Sequence, residues 1–430
     1  MVNKTMLFSG LVVTVCACTL LGGVIDSHWI AVDDGLWNQA DNWDPPLVPD
    51  NAGANSFNVT IDGDGVSVQL HQRQIVNRLD CFGEVELFGE GWNILSFAGQ
   101  GLFNHGDLEI SDLLLDGNVT NVSGGYLELE DLEIFGELYN DTGAFLEIWD
   151  EVEINRIVNH GTIISHPGGD LYTEEDHFIN NGQITLFGGQ CGVEGETAVF
   201  QNQTDAVISG WGNIYCFDEA TFINQGTVKA QHGVLRLVNF SAGLTNEGLF
   251  SAAPSSSLQI KLVGNFTNAA MISTAAGDVV VEGVLVNESG AEIGILDGLL
   301  SATAITQKAG AVFNAFGKIV TENGFHLDSD AVAAITGPTS LIGDLTIDAG
   351  ATLQIKDGQT LITGQTTNNG TIHVIGGTVI FQGGYAGTGT ILTSAGTDRN
   401  HFDVNSDAEV NFQDFVHFAE NWLWKASWYE

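Results

Sequence analysis

From about Gly65 to Ile391 apolar residues mostly alternate with polar ones, the period-two pattern of strands with one face buried and one face wet. The alternation is interrupted by a short phrase, Asn-x-Gly or the one-longer Asn-x-x-Gly, followed by a β-branched or other apolar residue. The best copies put glycine at Gly106, Gly124, Gly143, Gly161, Gly182, Gly226, Gly248, Gly290, Gly310, Gly350 and Gly370, with gaps of 18 to 22 residues or near twice that. Asn202-Gln-Thr-Asp205 and Asn268-Ala-Ala270 fill two doubled gaps as degenerate copies, Asp330 lies midway through the third, and Gly65 and Gly83 extend the count backwards. Roughly 15 units result, and a fixed period in the 20s predicts a solenoid whose units bury a hydrophobic face only by stacking.

Each unit reads as two strands and a corner, as in Phe103-Asn104-His105-Gly106-Asp107-Leu108-Glu109-Ile110. Glycine is expected to supply positive φ at the corner, and Asn tolerates left-handed geometry and bonds nearby backbone. An all-β, right-handed parallel β-helix over residues 63–395 fits best. Coils stacked at the strand spacing make a rod about 70 Å long, and Asn residues at equivalent corners would form an amide ladder from coil to coil. A leucine-rich repeat is disfavoured because its Leu-x-x-Leu-x-Leu phrase does not recur and no helical half accompanies the strands. A propeller needs blades of about 40 residues.

The ends differ from the repeats. Met6 to Val24 is an apolar run behind the single charge of Lys4, which reads as a secretory signal peptide over residues 1–27. Val15-Cys16-Ala17-Cys18 loosely resembles a bacterial lipoprotein processing site, a second reading of the same stretch. Residues 28–62 hold Trp29, Trp37 and Trp43 spaced with Gly35, Asn42, Pro45, Pro46 and Pro49, and read as a cap over the open first coil, whose unpaired edge needs cover. The alternative is a sugar-stacking platform. This Gly-x-Trp, Asn-Trp, Pro stretch resembles the start of large secreted bacterial β-helix proteins of the autotransporter and pectin-lyase-like kinds. Cys191 and Cys216 lie 25 residues apart, close to one coil, so they would either meet across neighbouring coils or serve, with Cys81, as small buried hydrophobes.

The formal net charge is −42, from 54 acids against 12 Lys and Arg. Nucleic acid is excluded as a partner, since phosphate binding needs clustered bases; after signal cleavage no membrane span is expected, and self-repulsion favours a monomer. Some of the acids fall in columns. At an offset of 19 residues Glu109, Glu128 and Glu147 point one way between inward apolar residues, Glu86 starts the same column, and Glu133 and Glu153 begin a second. Carboxylates about 4.8 Å apart repel by roughly 0.9 kcal/mol per pair even at water's dielectric constant. The column is therefore either a hydrated outer face or a seat for a cation such as Ca²⁺.

The strongest chemical motif is Asp403-Val-Asn405-Ser-Asp407-Ala408-Glu409-Val410-Asn411-Phe-Gln-Asp414, whose oxygen side chains have calcium-loop spacing. Asp403, Asn405, Asp407 and Asp414 would coordinate through side chains, Glu409 through its carbonyl and Asn411 through water. Ala408 stands where such loops carry glycine, and Asp414 is shorter than the usual Glu. With the following amphipathic segment Phe412 to Trp424, residues 400–424 resemble one loop-helix repeat of a type I dockerin, particularly the single dockerin-like tails of secreted planctomycete proteins. The resemblance implies Ca²⁺ as cofactor and a cohesin-like or cell-surface partner for residues 403–424, although dockerins carry two repeats and only one is present.

Three function classes follow. A secreted or cell-surface, non-catalytic β-helix with a structural or adhesive role, attached through the calcium loop, fits repeats, charge and ends together. A polysaccharide lyase or glycoside hydrolase shares the architecture, but Arg73, Arg78, Arg156, Lys229, Arg236 and Lys261 belong to no recognisable constellation, and acid pairs such as Glu128 with Glu147 or Asp150 with Glu153 arise by chance in an acidic solenoid. A module binding a neutral glycan would use Trp29, Trp37, Trp43, Trp92, Trp149 or Trp211, which are scattered over separate units.

Overall fold

The structure is a computed structural model that describes residues 23–393 apart from 33, 52, 54, 175 and 241–243. The expected signal peptide, apart from its last few residues, and the whole calcium loop lie outside the described residues. Within them the chain is all-β, a right-handed parallel β-helix of about 16 turns. Along the coils, strands pair in parallel with those one turn before and one turn after them; at the N-terminal end Val24–Trp29 also pairs antiparallel with Trp43–Asp44.

Alternation sets the register, because a slip of one residue would turn every inward side chain to water. Leu108, Leu127, Leu146, Ile163, Ile184, Ile208, Val228 and Phe250 follow one another up the interior in one column of Cα partners, all buried. A second inward column holds Phe178, Phe200 and Phe222, the first two stacked face to face at 4.3 Å and the next two edge to face at 5.2 Å. These columns form one continuous apolar core from Trp29 to Ile372.

The corner asparagines form the expected ladder. Asn104, Asn121, Asn140, Asn159, Asn180, Asn202, Asn224, Asn246, Asn268 and Asn287 each donate from Nδ2 to the side-chain oxygen of the next, ending on Gln307, at 2.7–2.9 Å throughout. All are fully buried. Many spend the second amide hydrogen on a backbone carbonyl one coil further on, as Asn121 does on Phe145 O at 2.7 Å. The ladder thus satisfies polar groups that the turn of the chain would otherwise leave unpaired in the core.

The corner glycines divide into two kinds, which corrects the expectation that all supply positive φ. In the longer phrase they do, as at Gly143 with φ +81°, and Asp205 and Asp330 take the same conformation at 69° and 63° where glycine is replaced. In the shorter phrase the backbone does not enter that region. There the stacked coil leaves no room: a Cβ on Gly182 would lie 2.1 Å from Gly161 O.

At the N-terminal end Trp29, Trp37 and Trp43 are buried against one another, with Trp43 edge-on to Trp29 at 5.0 Å and to Trp37 at 4.9 Å. Trp37 Nε1 donates to Pro49 O at 3.1 Å and Trp43 Nε1 to Trp37 O at 2.8 Å. Gly35 faces Asn42 and the Trp29 ring so closely that no side chain would fit. Buried in this way, the three rings offer no open face to a sugar.

Candidate functional site

The glutamate column assembles as the 19-residue offset predicts. Glu86 lies opposite Glu109, Glu109 opposite Glu128, and Glu128 opposite Glu147. Its two ends meet hydrogen-bonding partners: Ser67 Oγ donates to Glu86, and His166 Nε2 lies 2.8 Å from Glu147 Oε2. Partial burial in the coil wall raises the carboxyls of Glu109 and Glu128 above the ordinary range, and the neighbouring charges, Glu86 for the first and Glu109 and Glu147 for the second, raise them further. Glu133 and Glu153 pair likewise, with Tyr172 on the next coil donating to Glu153 at 3.2 Å and to Glu151 at 2.9 Å. Burial, then the charges of Glu174 and Glu133, raises Glu153.

Beside this second column lies a group that the sequence reading did not single out. Tyr215 O–H donates to Asp170 Oδ1 at 2.7 Å across two coils, and Asn213 donates to Gln190 Oε1 at 3.0 Å. Gly192, between the two coils, is the reason: a Cβ there would strike the Tyr215 ring at 2.5 Å. Burial raises the Asp170 carboxyl, while the Tyr215 hydrogen bond opposes the rise. The recurrence of outward Tyr172 and Tyr215 in one alternation column was the available signal.

Trp149 and Trp211, expected to be scattered, belong to one row. Trp149 stacks on His166 with centroids 3.7 Å apart and planes 7° from parallel; Phe187 lies 6.4 Å from His166, and Trp211 is the Cα partner of Phe187 on the next coil. Trp149, Phe187 and Trp211 remain 43, 42 and 38% exposed. Trp211 lies across Gly188 of the preceding coil, whose missing Cβ would sit 2.5 Å from the indole.

Among the described residues, basic side chains do not converge on the glutamate column. Arg78 is held by Asp80, which also meets His105 at 3.1 Å; Arg156 pairs with Glu137 at 3.3 Å and Lys261 with Glu282 at 3.8 Å. Cys81, Cys191 and Cys216 are free and buried, and Cys191 faces Ile214 rather than Cys216 across the coils. Burial pushes all three thiols up, so they are inert hydrophobes here. Among the described residues, one cluster of metal-ligating type, His326, Asp328 and Asp348, brings its ligand atoms within 4.8 Å of one another, and Lys308 Nζ at 2.7 Å from Asp328 Oδ2 already compensates part of its charge.

The best-formed outer surface, with the glutamate column, the Asp170–Tyr215 group and the aromatic row, thus falls largely between residues 86 and 215. A family model described as the BigA fourth domain matches residues 94–242, about a third of the chain. No curated protein and no solved structure matches. The chain is a β-helix repeat protein, similar over that stretch to the BigA fourth domain.

Proposed function

We propose that this protein is a cell-surface β-helix with a structural or adhesive role, carried on the surface through its C-terminal calcium loop. The observation that carries the reading is the unbroken amide ladder through a single core. Such an interior stiffens a long body, while Arg73, Arg78, Arg156, Lys261 and Lys308 are tied to neighbouring acids instead of being gathered into a proton-transferring site. The similarity to a BigA domain, a kind found in surface and secreted bacterial proteins, supports the location. The loop residues Asp403, Asn405, Asp407, Glu409, Asn411 and Asp414 supply the hard oxygen ligands that Ca²⁺ selects, and a cohesin-like or other surface protein is the partner their dockerin resemblance suggests.

The test is surface release. Intact cells producing the full chain should lose it to the medium when calcium is chelated, and Asp403→Ala should release it without chelator. Retention of both forms inside protease-resistant cells would refute display, and chelator-insensitive retention at the surface would refute the calcium attachment.

A further inference from the structure

We infer that the aromatic row Trp149–His166–Phe187–Trp211 is a binding site for a neutral glycan laid along the solenoid axis; this rests on the adhesive reading and names the ligand class of that surface. Three observations carry it. The row occupies equivalent positions of four successive coils at one corner, with Trp149, Phe187 and Trp211 exposed and His166 stacked between the first two, so it runs along the solenoid axis, where coils are spaced about 4.8 Å. Large exposed aromatics on neighbouring coils cost solvation, and their apolar faces suit the C–H faces of sugars.

The second observation is that the row begins where the acidic column ends. Above Glu147 that column continues as Ile164, Thr185 and Ser209, and on the other side of the corner Gln190 and Asn213 stand hydrogen-bonded to each other. Phe187 and Trp211 are thus flanked by neutral hydroxyls and amides, the donors and acceptors that orient sugar hydroxyls.

The third is charge. Three of the nearby acids are engaged, Glu147 by His166, Glu151 by Tyr172 and Asp170 by Tyr215, and Lys229 and Arg236 follow Ser209 and Asn213 on the next coil. Glu130 and Asp150 remain exposed beside Trp149, so charge disfavours a cationic partner at the Phe187–Trp211 end, where the two bases stand. A polyanion is repelled by the remainder of the chain, as is a second copy.

Affinity electrophoresis tests the site with the full chain, in gels containing hydroxyethyl cellulose, galactomannan, a β-1,3-glucan or polygalacturonate, alongside polylysine beads. At least one neutral polysaccharide should retard the protein. Trp149→Ala with Trp211→Ala should weaken that retardation at least tenfold, Phe187→Ala less, and Leu296→Ala, exposed in a distant coil, not at all, with circular dichroism confirming that each variant is folded. Absence of retardation in every neutral gel, equal retardation of the aromatic variants, or binding to polylysine alone would overturn the proposal. Calcium-dependent display does not use these rings, so its persistence alongside such a result isolates the failure to the aromatic row.

Discussion

Replacing Asn180 by alanine interrupts the amide ladder at its centre, and the cost follows from the atoms it orphans. Asn180 is fully buried, accepts from Asn159 Nδ2 at 2.7 Å and from Gly182 N–H at 3.2 Å, and donates to Asn202 Oδ1 at 2.8 Å. In the variant Asn202 Oδ1 loses its ladder donor inside the core. Gly182 N–H loses its acceptor at a position partly open to water, and Asn159 keeps one bond to Gln183 O at 3.2 Å. A buried polar group left unpaired costs about 1–3 kcal/mol; one full orphan and one partial one give about 2–4 kcal/mol. At the end of the ladder, Gln307→Leu should cost less. Gln307 has one ladder neighbour, Asn287 at 2.8 Å, and the equivalent position on the next coil is already Leu327. Because a solenoid unfolds as coupled neighbours rather than strictly all-or-none, the assay is amide hydrogen exchange resolved by coil, backed by urea titration. Exchange should accelerate around residues 159–202 in the first variant and far less around 287–327 in the second. Equal effects, or an Asn180→Ala cost under about 0.5 kcal/mol, below the cost of even one orphaned group, would refute the ladder as a stabilising device.

Two further outcomes follow. Glu128 has a folded-state carboxyl held above its ordinary value by burial and its neighbours, so the fold binds a proton more readily than the unfolded chain; its penalty is present at neutral pH and fades as pH falls through the folded value toward the unfolded one. Glu128→Gln should therefore raise the thermal midpoint at neutral pH, with the gain shrinking in acid and in high salt, and a gain that grows in acid would contradict the ladder repulsion. The two glycine kinds should respond unequally: Gly182→Ala, forced against Gly161 O, should cost about 1–3 kcal/mol, whereas Gly143→Asn, at positive φ with its nearest neighbour Ser123 Oγ at 3.4 Å, should cost under about 1 kcal/mol. Urea midpoints distinguish the pair, and a reversed order would show that corner conformation rather than coil contact governs both.

The repeat, the inward columns, the amide ladder and the in-register glutamates were all legible along the chain, because in a stacked solenoid chain offset translates directly into spatial neighbourhood. Leu108, Leu127 and Leu146, or Glu109, Glu128 and Glu147, are neighbours for no reason beyond a constant 19-residue step. That translation fails when the step changes. Between Trp149 and Trp211 the coils lengthen, with steps of 17, 21 and 24 residues from Trp149 to His166, Phe187 and Trp211, so the row was invisible to a fixed offset and its tryptophans read as scattered. The same holds for Asp170 and Tyr215, which meet across two coils because the glycine at Gly192 leaves a gap that only packing reveals. Nor does an Asn-x-Gly phrase disclose whether its glycine is needed for φ or for clearance, since the deciding atom, as Gly161 O is for Gly182, belongs to the coil beneath. Local pattern fixed which way each side chain faces; only the stacking distance and the varying coil length decided which of them touch.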